Sequence, residues 1–426
     1  MQYWMMAITV LLLWPAIGGL ASAIAPAWSA DVGQTTVKVY QVQQETFTDT
    51  SGIYDWGACV MKDGDIYRMW WTRPCPPSPE TFSCETTADD GKPVTLHYTP
   101  EGDRTFYAES RDGYTWHLGG KGDEVSLDAY GPDSPTAVIV LKPSETRWER
   151  KHAACPSVVK VGGTFYMYYE APSAFKVWRD AKGNPIPGTE YHNQVFLATS
   201  KDGKYFTKWP KDDAPEPIIE TPESNLKPGR QAYGFGQPTA CYRNGKFILH
   251  YVDSCTWFPD VMVRLESSDP TFRDARPTIQ GLVNRLGSDK PAPAGAVAKY
   301  AQTDICWLGD SFYLVRPVYG TDRIALLRSK SGVFWSDDLS NDPLSARRQI
   351  AVHDPRGTEF RGRLYPKFLR GPHGEIVGDK THFTVFYGSG RDSGPGWSPR
   401  TWDIARADIA FRSPLEDDRR VTTEGK

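Results

Sequence analysis

Acidic and other polar side chains stand at the borders of apolar, strand-like runs all along this chain. Asp55 precedes the run beginning at Trp56, Glu170 follows Tyr168-Tyr169, Asp253 follows Tyr251-Val252, Asp304 precedes Ile305-Cys306, and Glu359 lies shortly before Leu364-Tyr365. Arg73, His152, Gln237, Arg316 and Arg361 hold comparable positions. Carboxylates brought together can divide acid and base work, because mutual repulsion raises one pKa until a protonated and an ionised form coexist near neutrality. Guanidinium groups beside them would neutralise the cluster or bind an anion through their planar fork of donors. His152 would bond a hydroxyl, hold a carboxylate or serve the fold alone. Asp55, at the start of a strand, could equally cap backbone amides. All of this depends on elements that bring residues 55 to 361 to one place.

Those elements are repeated hairpins. Five segments share a small or polar residue, an apolar strand, a Gly-containing turn and an aromatic-rich strand: 56–72, 155–170, 237–253, 304–316, and a looser one from Arg363 to Gly388. Their turn glycines are Gly64, Gly163, Gly245, Gly309 and Gly374, in the tight-turn chemistry that favours positive φ. A second element, Ser110-Arg111-Asp112-Gly113 followed by Trp116, recurs at Ser200-Lys201-Asp202-Gly203 and in degenerate form at Ser267 and Ser329. It reads as a third strand ending in a turn, with an aromatic sealing the sheet against its neighbour. One such sheet cannot bury both faces, but five packed radially can. The expectation is an all-β chain forming a five-bladed β-propeller of antiparallel sheets, with Thr36–Val42 supplying the outermost strand of the last blade. In that ring the start of each first strand and the end of each second strand share one face, so the polar residues above would meet around one funnel. Trp70, Tyr168, Tyr169 and Tyr251 alternate within strands and read as packing between blades, whereas Trp71, Trp178, Trp257 and Trp397 lie nearer loops, where an indole could stack on a ring.

The hairpin Pro156-Ser157-Val158-Val159-Lys160-Val161-Gly162-Gly163-Thr164-Phe165-Tyr166-Met167-Tyr168-Tyr169 and the Ser-x-Asp-Gly elements resemble the five-bladed β-propeller glycoside hydrolases, such as family 43 and its relatives, over roughly residues 52 to 410. The resemblance implies a polysaccharide or oligosaccharide in the axial funnel and hydrolysis of a glycosidic bond by a carboxylate pair. Asp55, in Tyr54-Asp55-Trp56-Gly57, falls near the family's base. The chain departs from the family twice: Cys155 stands where an Asp precedes Pro-Ser-Val, and Gln237 stands where a Glu opens the third blade. The acid would then fall to Glu170 or Asp253. The expected catalytic residues are Asp55, Glu170 and Asp253; the expected substrate-binding residues are Trp71, Arg73, His152, Gln237, Trp257, Asp304, Arg316, Glu359 and Arg361. The same departures favour a rival reading, a noncatalytic carbohydrate-binding propeller of a surface or exopolysaccharide system; a protein-interaction propeller is a third. Relatives carry an axial Ca²⁺, but no calcium loop stands in this sequence, and no other cofactor is expected.

Composition bounds the remaining choices. Among 426 residues, 49 Lys and Arg face 52 Asp and Glu, so there is no basic field to hold a nucleic acid. The stretch 4–24 is mostly apolar and ends in Ala21-Ser22-Ala23, which reads as a signal peptide over 1–23, cleaved as late as 30, and predicts a periplasmic or secreted protein with no membrane contact after cleavage. An uncleaved anchor is the alternative. Residues 31–412 read as one propeller domain and 413–426 as a tail; the glycine-rich stretch 388–397 could roof the funnel. Seven cysteines follow the signal; Cys75 with Cys84, then Cys241 with Cys255, are the expected disulfides, and Cys59 and Cys306 are expected as buried thiols. No zinc spacing, phosphate loop, His-Glu-x-x-His or Gly-x-Ser-x-Gly occurs.

Overall fold

The computed structural model describes residues 28–32, 35–41, 43–44, 56–74, 82–88, 92–98, 103–118, 127–128, 137–144, 149, 152–174, 176–177, 182, 191–222, 234–254, 261–279, 281–282, 302–318, 323–335, 349–352, 363–390 and 402–411. Asp55, Trp178, Trp257, Glu359, Arg361, Trp397, Cys75, Cys255, the signal segment, most of the glycine-rich stretch and the tail lie outside the described residues.

Five antiparallel blades follow in chain order. Blade one comprises Trp56–Asp63, Ile66–Pro74, Asp103–Ser110 and Ala137–Leu141; blade two comprises Ala154–Val161, Thr164–Ala174, Tyr191–Ser200 and Thr207–Lys208. Blade three is Phe235–Arg243, Lys246–Asp253, Val261–Ser267 and Thr278–Ile279, and blade four is Asp304–Leu308, Ser311–Val318, Arg323–Ser329 and Gln349–Ala351. Blade five takes Arg363–Arg370, His382–Gly390 and Trp402–Phe411, then the N-terminal Thr35–Gln41, which pairs with Trp402–Phe411 from Thr35↔Phe411 to Gln41↔Ala405. The expected closing strand is therefore present, but Trp28–Val32 pairs outside it, so it is fourth in its blade and not outermost. The Asn244-Gly245 turn has φ of 53° and 78°, the two left-handed residues that match the twist of a tight hairpin. Apolar side chains alternate to the two faces of each blade and fill a separate core between each adjacent pair.

The innermost strand of each blade is an edge with no strand beyond it, so its buried N–H groups need another acceptor. The preceding blade supplies one. Cys59 Sγ accepts from Val158 N at 3.3 Å, Ser157 Oγ from Ala240 N at 2.9 Å, Thr239 Oγ1 from Ile305 N at 3.1 Å, and Asp304 Oδ2 from Phe368 N at 3.0 Å. Between blades five and one the pattern gives way to direct parallel pairing, Leu369↔Val60 and Arg370↔Met61. Farther out, second-strand side chains reach the third-strand turn of the next blade: Trp70 Nε1 donates to Gly203 O, Tyr168 Oη to Pro270 O, and His250 Nε2 meets Gly332 O. The aromatics that end the Ser-x-Asp-Gly elements also seal the blades, as expected: Trp116 meets Phe386 of blade five edge-on, and Trp335 is fully buried in the core between blades three and four.

One end of the axis is plugged. Successive carbonyls of the blade-five turn, Pro372, His373 and Gly374, accept from Lys160 N, Tyr242 N and Trp307 N of blades two, three and four at 2.6, 2.7 and 3.3 Å. A Cβ on Gly374 (φ 79°) would lie 2.7 Å from Cys241 Cβ, so only glycine fits beneath the ring. Midway along the axis, Arg370 donates to Asp304 Oδ1, to Ala240 O (3.0 Å) and to Ser157 Oγ (3.3 Å), joining blades two, three, four and five. Lys367 Nζ lies 3.8 Å from Asp304 Oδ1.

Asp304 is accordingly no funnel residue. It is fully buried, and Thr239, Arg370 and Phe368 occupy its oxygens. Burial alone would raise its carboxyl, but the charges of Arg370 and Lys367, with hydrogen bonds from Arg370 and Thr239, hold it at about 2. This donor set does not fit an axial Ca²⁺: the axial carboxylate already carries two cations, and no group of three or more His, Cys, Asp or Glu suited to a metal occurs among the described residues. Cys59 and Cys306 are buried thiols as expected; Cys241 is also a free buried thiol, packed between blades three and four, and this overturns its expected pairing with Cys255.

Replacing Asp304 by Asn leaves Arg370 and Lys367 without their counter-charge in the interior and is expected to cost about 3–5 kcal/mol in urea unfolding at pH 7. The depressed folded pKa stabilises the wild type above the unfolded value near 3.9, and that contribution is lost as pH falls through about 2. The stability gap between wild type and Asp304→Asn should therefore narrow between about pH 4 and 2; a gap independent of pH in that window would refute the assignment.

Candidate active site at the open mouth

The opposite end of the axis, the mouth, is built from one device used five times. Just inside the start of each inner strand, or two residues ahead of it in blade four, the chain turns into the left-handed region: Gly57 (φ 65°), Cys155 (54°), Gln237 (50°), Gln302 (62°) and Tyr365 (53°). In blades one, two, three and five this coincides with a slip in the pairing with the second strand. Such bulges bend the strand and re-aim its side chains, and they concentrate next to functional sites. In three blades the next residue is proline (Pro156, Pro238, Pro366), which has no N–H to be orphaned by the slip.

The amides at the bulges are again satisfied from the preceding blade. Cys155 N donates to Thr72 Oγ1 at 2.9 Å, Gln237 N to Glu170 Oε2 at 2.5 Å, and Gln302 N to Gln237 Oε1. Gln237 Nε2 then donates to Tyr365 Oη at 3.3 Å, and the Tyr365 ring lies 4.4 Å from that of Trp56. Cys155 Sγ sits 3.2 Å from Glu170 Oε1, with His152 Nε2 4.0 Å from the same oxygen. Burial, reinforced by the Glu170 charge, pushes the Cys155 thiol well above its ordinary range. It remains S–H, donates to Glu170 and is no thiolate nucleophile. Glu170 is only 1% exposed, whereas the His152 side chain retains 18%.

Glu170, His152 and Gln237 thus converge as the sequence led us to expect. Asp253 is buried at the end of the second strand of blade three, opposite Phe235. By strand alternation it shares the face of Tyr251, which packs toward blade two, while Glu170 shares the face of Tyr168, which packs toward blade three. The two carboxylates therefore face the same interface, between blades two and three. Arg73 and Arg316 are buried near the mouth ends of blades one and four, with Arg73 over the Phe106 ring at 6.0 Å.

Trp71 is a correction: it is fully buried between blades one and five against Phe106 and presents no face to a ligand. Its position inside a strand, one residue from the equally buried Trp70, is the reason. Sequence reasoning missed Tyr365 and Gln302 as mouth residues. The first carried a signal, since Tyr365-Pro366 repeats the residue-proline pattern of Cys155-Pro156 and Gln237-Pro238; Gln302 lacks the proline and carried none.

Treatment of the native protein with iodoacetamide at pH 8 should leave the Cys155 peptide unmodified by mass spectrometry, whereas urea-unfolded protein should be alkylated there. Rapid native alkylation would contradict a sealed, protonated thiol.

No protein-family model matches the sequence, and no curated protein does. Solved structures match nearly end to end. A family 117 glycoside hydrolase produced by the marine bacterium Zobellia galactanivorans has a TM-score of 0.51 at 14% identity, covering 92% of this chain and 93% of that one. An alpha-L-arabinofuranosidase from Podospora anserina, solved in complex with cellotriose, has a TM-score of 0.50 at 11% identity, covering 88% of this chain and 95% of that one. At such identities the likeness is one of fold, and in fold the chain is similar to the five-bladed propeller glycoside hydrolases that its hairpins resemble.

Proposed function

We propose that this is an exported glycoside hydrolase-like protein that binds a polysaccharide or oligosaccharide at the open mouth and hydrolyses a glycosidic bond there. The observation that carries the reading is Glu170, a carboxylate held almost out of water at the mouth end of a propeller of this kind, with Cys155, Gln237 and His152 fixing its orientation. Asp253, on the blade-three side of the same interface, is the other proposed acid, and Asp55 remains the proposed base. Either Glu170 or Asp253 would protonate the departing oxygen while the base activates water or attacks the anomeric carbon.

A noncatalytic saccharide-binding propeller is the second reading. It is favoured by the engagement of both Glu170 oxygens, one by Cys155 of its own blade and the other by the Gln237 amide of blade three, a use that serves the fold whether or not a bond is broken.

The test is a screen of the purified protein against arabinan, xylan, arabinogalactan and bacterial exopolysaccharides, with Asp55→Asn, Glu170→Gln and Asp253→Asn alongside. Release of sugar that falls by about 10²–10⁴ in at least one acid and one base variant is expected. Release unaffected by all three substitutions would remove the site assignment. Binding without release by the wild type would select the second reading.

A further inference from the structure

Two backbone amides at the mouth fix the protons around them. Gln302 N–H can only donate, so the Gln237 side-chain atom that meets it is the carbonyl oxygen, Oε1. The other end of that carboxamide is its nitrogen, which donates to Tyr365 Oη at 3.3 Å. A phenol that accepts there keeps its own proton for another partner. Tyr365 also hydrogen-bonds the Cys155 side chain, and this bond opposes the upward push of burial on the thiol, which is the effect of a donor on the sulfur. The thiol proton is left for Glu170 Oε1 at 3.2 Å, while Gln237 N–H donates to Glu170 Oε2.

These bonds close on themselves. From the Gln237 carboxamide the donors run through the Tyr365 hydroxyl and the Cys155 thiol to one oxygen of Glu170, and the other oxygen returns to the Gln237 backbone. Blades five, two and three are joined in one ring of side chains, every member of which is buried. The Tyr365 ring is placed independently of its hydroxyl: it lies 4.4 Å from the Trp56 ring and packs with Trp56, Ala154 and Cys155 in a small apolar cluster. A phenylalanine would keep those contacts, so the hydroxyl serves the hydrogen-bond ring and not the packing.

We propose that the Tyr365 hydroxyl is a positioning group for Glu170 that acts through the Cys155 thiol, an inference that rests on the reading of Glu170 as a reacting carboxylate. A thiol alone is a weak donor. A phenol donating to its sulfur polarises the S–H bond and strengthens its grip on the carboxylate, because hydrogen bonds in a chain reinforce one another. Tyr365 thereby fixes the direction of Glu170 from another blade without itself touching a substrate.

The test has a spectroscopic and a kinetic arm, both on the full chain. Infrared difference spectra of wild type against Cys155→Ala isolate the Cys155 S–H stretch from those of the other thiols. Tyr365→Phe should move that band to higher frequency, since the thiol loses the donor that polarised it; a band that stays or moves down overturns the inference. On a polysaccharide that the wild type cleaves, Tyr365→Phe should lower kcat about 10-fold with KM within about 2-fold. Cys155→Ala should do about the same, and the double variant should fall little further, because the two groups act in series. An unchanged kcat, a loss confined to KM, or losses that multiply in the double variant overturns the inference and leaves the hydrolytic reading standing. Circular dichroism checks that the variants fold; if Tyr365→Phe does not, fluorotyrosine labelling, which makes the phenol a stronger donor, decides by moving the band to lower frequency or failing to. A wild type that cleaves no polysaccharide overturns the hydrolytic reading and the part given to Tyr365 in it, while the S–H band decides separately whether the ring exists.

Discussion

A propeller places five strand edges around its own axis, and the axis is the worst place in the molecule for an unpaired amide. Water cannot reach those N–H groups freely, and a sixth strand cannot be inserted to pair them. This chain answers with a relay in which each blade lends the next one acceptor: a thiol at Cys59, hydroxyls at Ser157 and Thr239, a carboxylate at Asp304. Each such bond is worth only about 1 kcal/mol net, but each one missing would leave a buried donor at a cost of about 1–3 kcal/mol. The relay is therefore less a source of stability than a condition for the ring to close. It also fixes the polarity of the ring, because acceptors always come from the preceding blade. Lys367, which stands in the corresponding register of blade five, can only donate, and there the chain substitutes backbone pairing with blade one.

The charges on the axis follow from that arrangement. Asp304 is the one relay acceptor that brings a formal charge inside, and Arg370 and Lys367 match it. Arg370 Nη1 donates to blades two and three while Nη2 holds Asp304, so a single guanidinium spans the interior. The turn at 372–374 caps the lower end, so along the described axis polar side chains gather at the mouth. The confinement of the candidate site to one end is thus a consequence of how the ring is held together.

Much of this frame was legible in the sequence. The five hairpins, their turn glycines and the Ser-x-Asp-Gly elements repeat visibly, because turn chemistry and strand alternation are local and tolerate few residue types. The site was legible only in part. Glu170, His152 and Gln237 could be placed at the mouth by counting from strand ends. Asp304 could not be told from them, since the same count puts it at a strand start and only its neighbours from blades three and five reveal that its oxygens are already committed. Trp71 failed for a related reason: one residue along a strand exchanges one interblade face for the other, and nothing in the adjacent Trp70-Trp71 pair says that both faces are buried. Gln302 lacked the proline that marks its counterparts.

The bulge position shows how such a frame can acquire chemistry without being rebuilt. Five backbones take the same left-handed turn, yet the side chains are absent at Gly57, a thiol at Cys155, carboxamides at Gln237 and Gln302, and a phenol at Tyr365. In three of them the amide is held from the preceding blade regardless of what the side chain is, so the backbone turn does not depend on the residue that occupies it. Side chains at this position are consequently free to differ, while the relay beneath them must supply acceptors. Cys155 and Gln237 are the donors that orient Glu170 from both sides, the thiol on one oxygen and the backbone amide on the other. An acidic side chain in place of Cys155 would set two carboxylates in contact within a sealed space, and one of them would have to hold a proton. With a thiol there, the conflict does not arise, and Glu170 at the end of the second strand accepts through both of its oxygens.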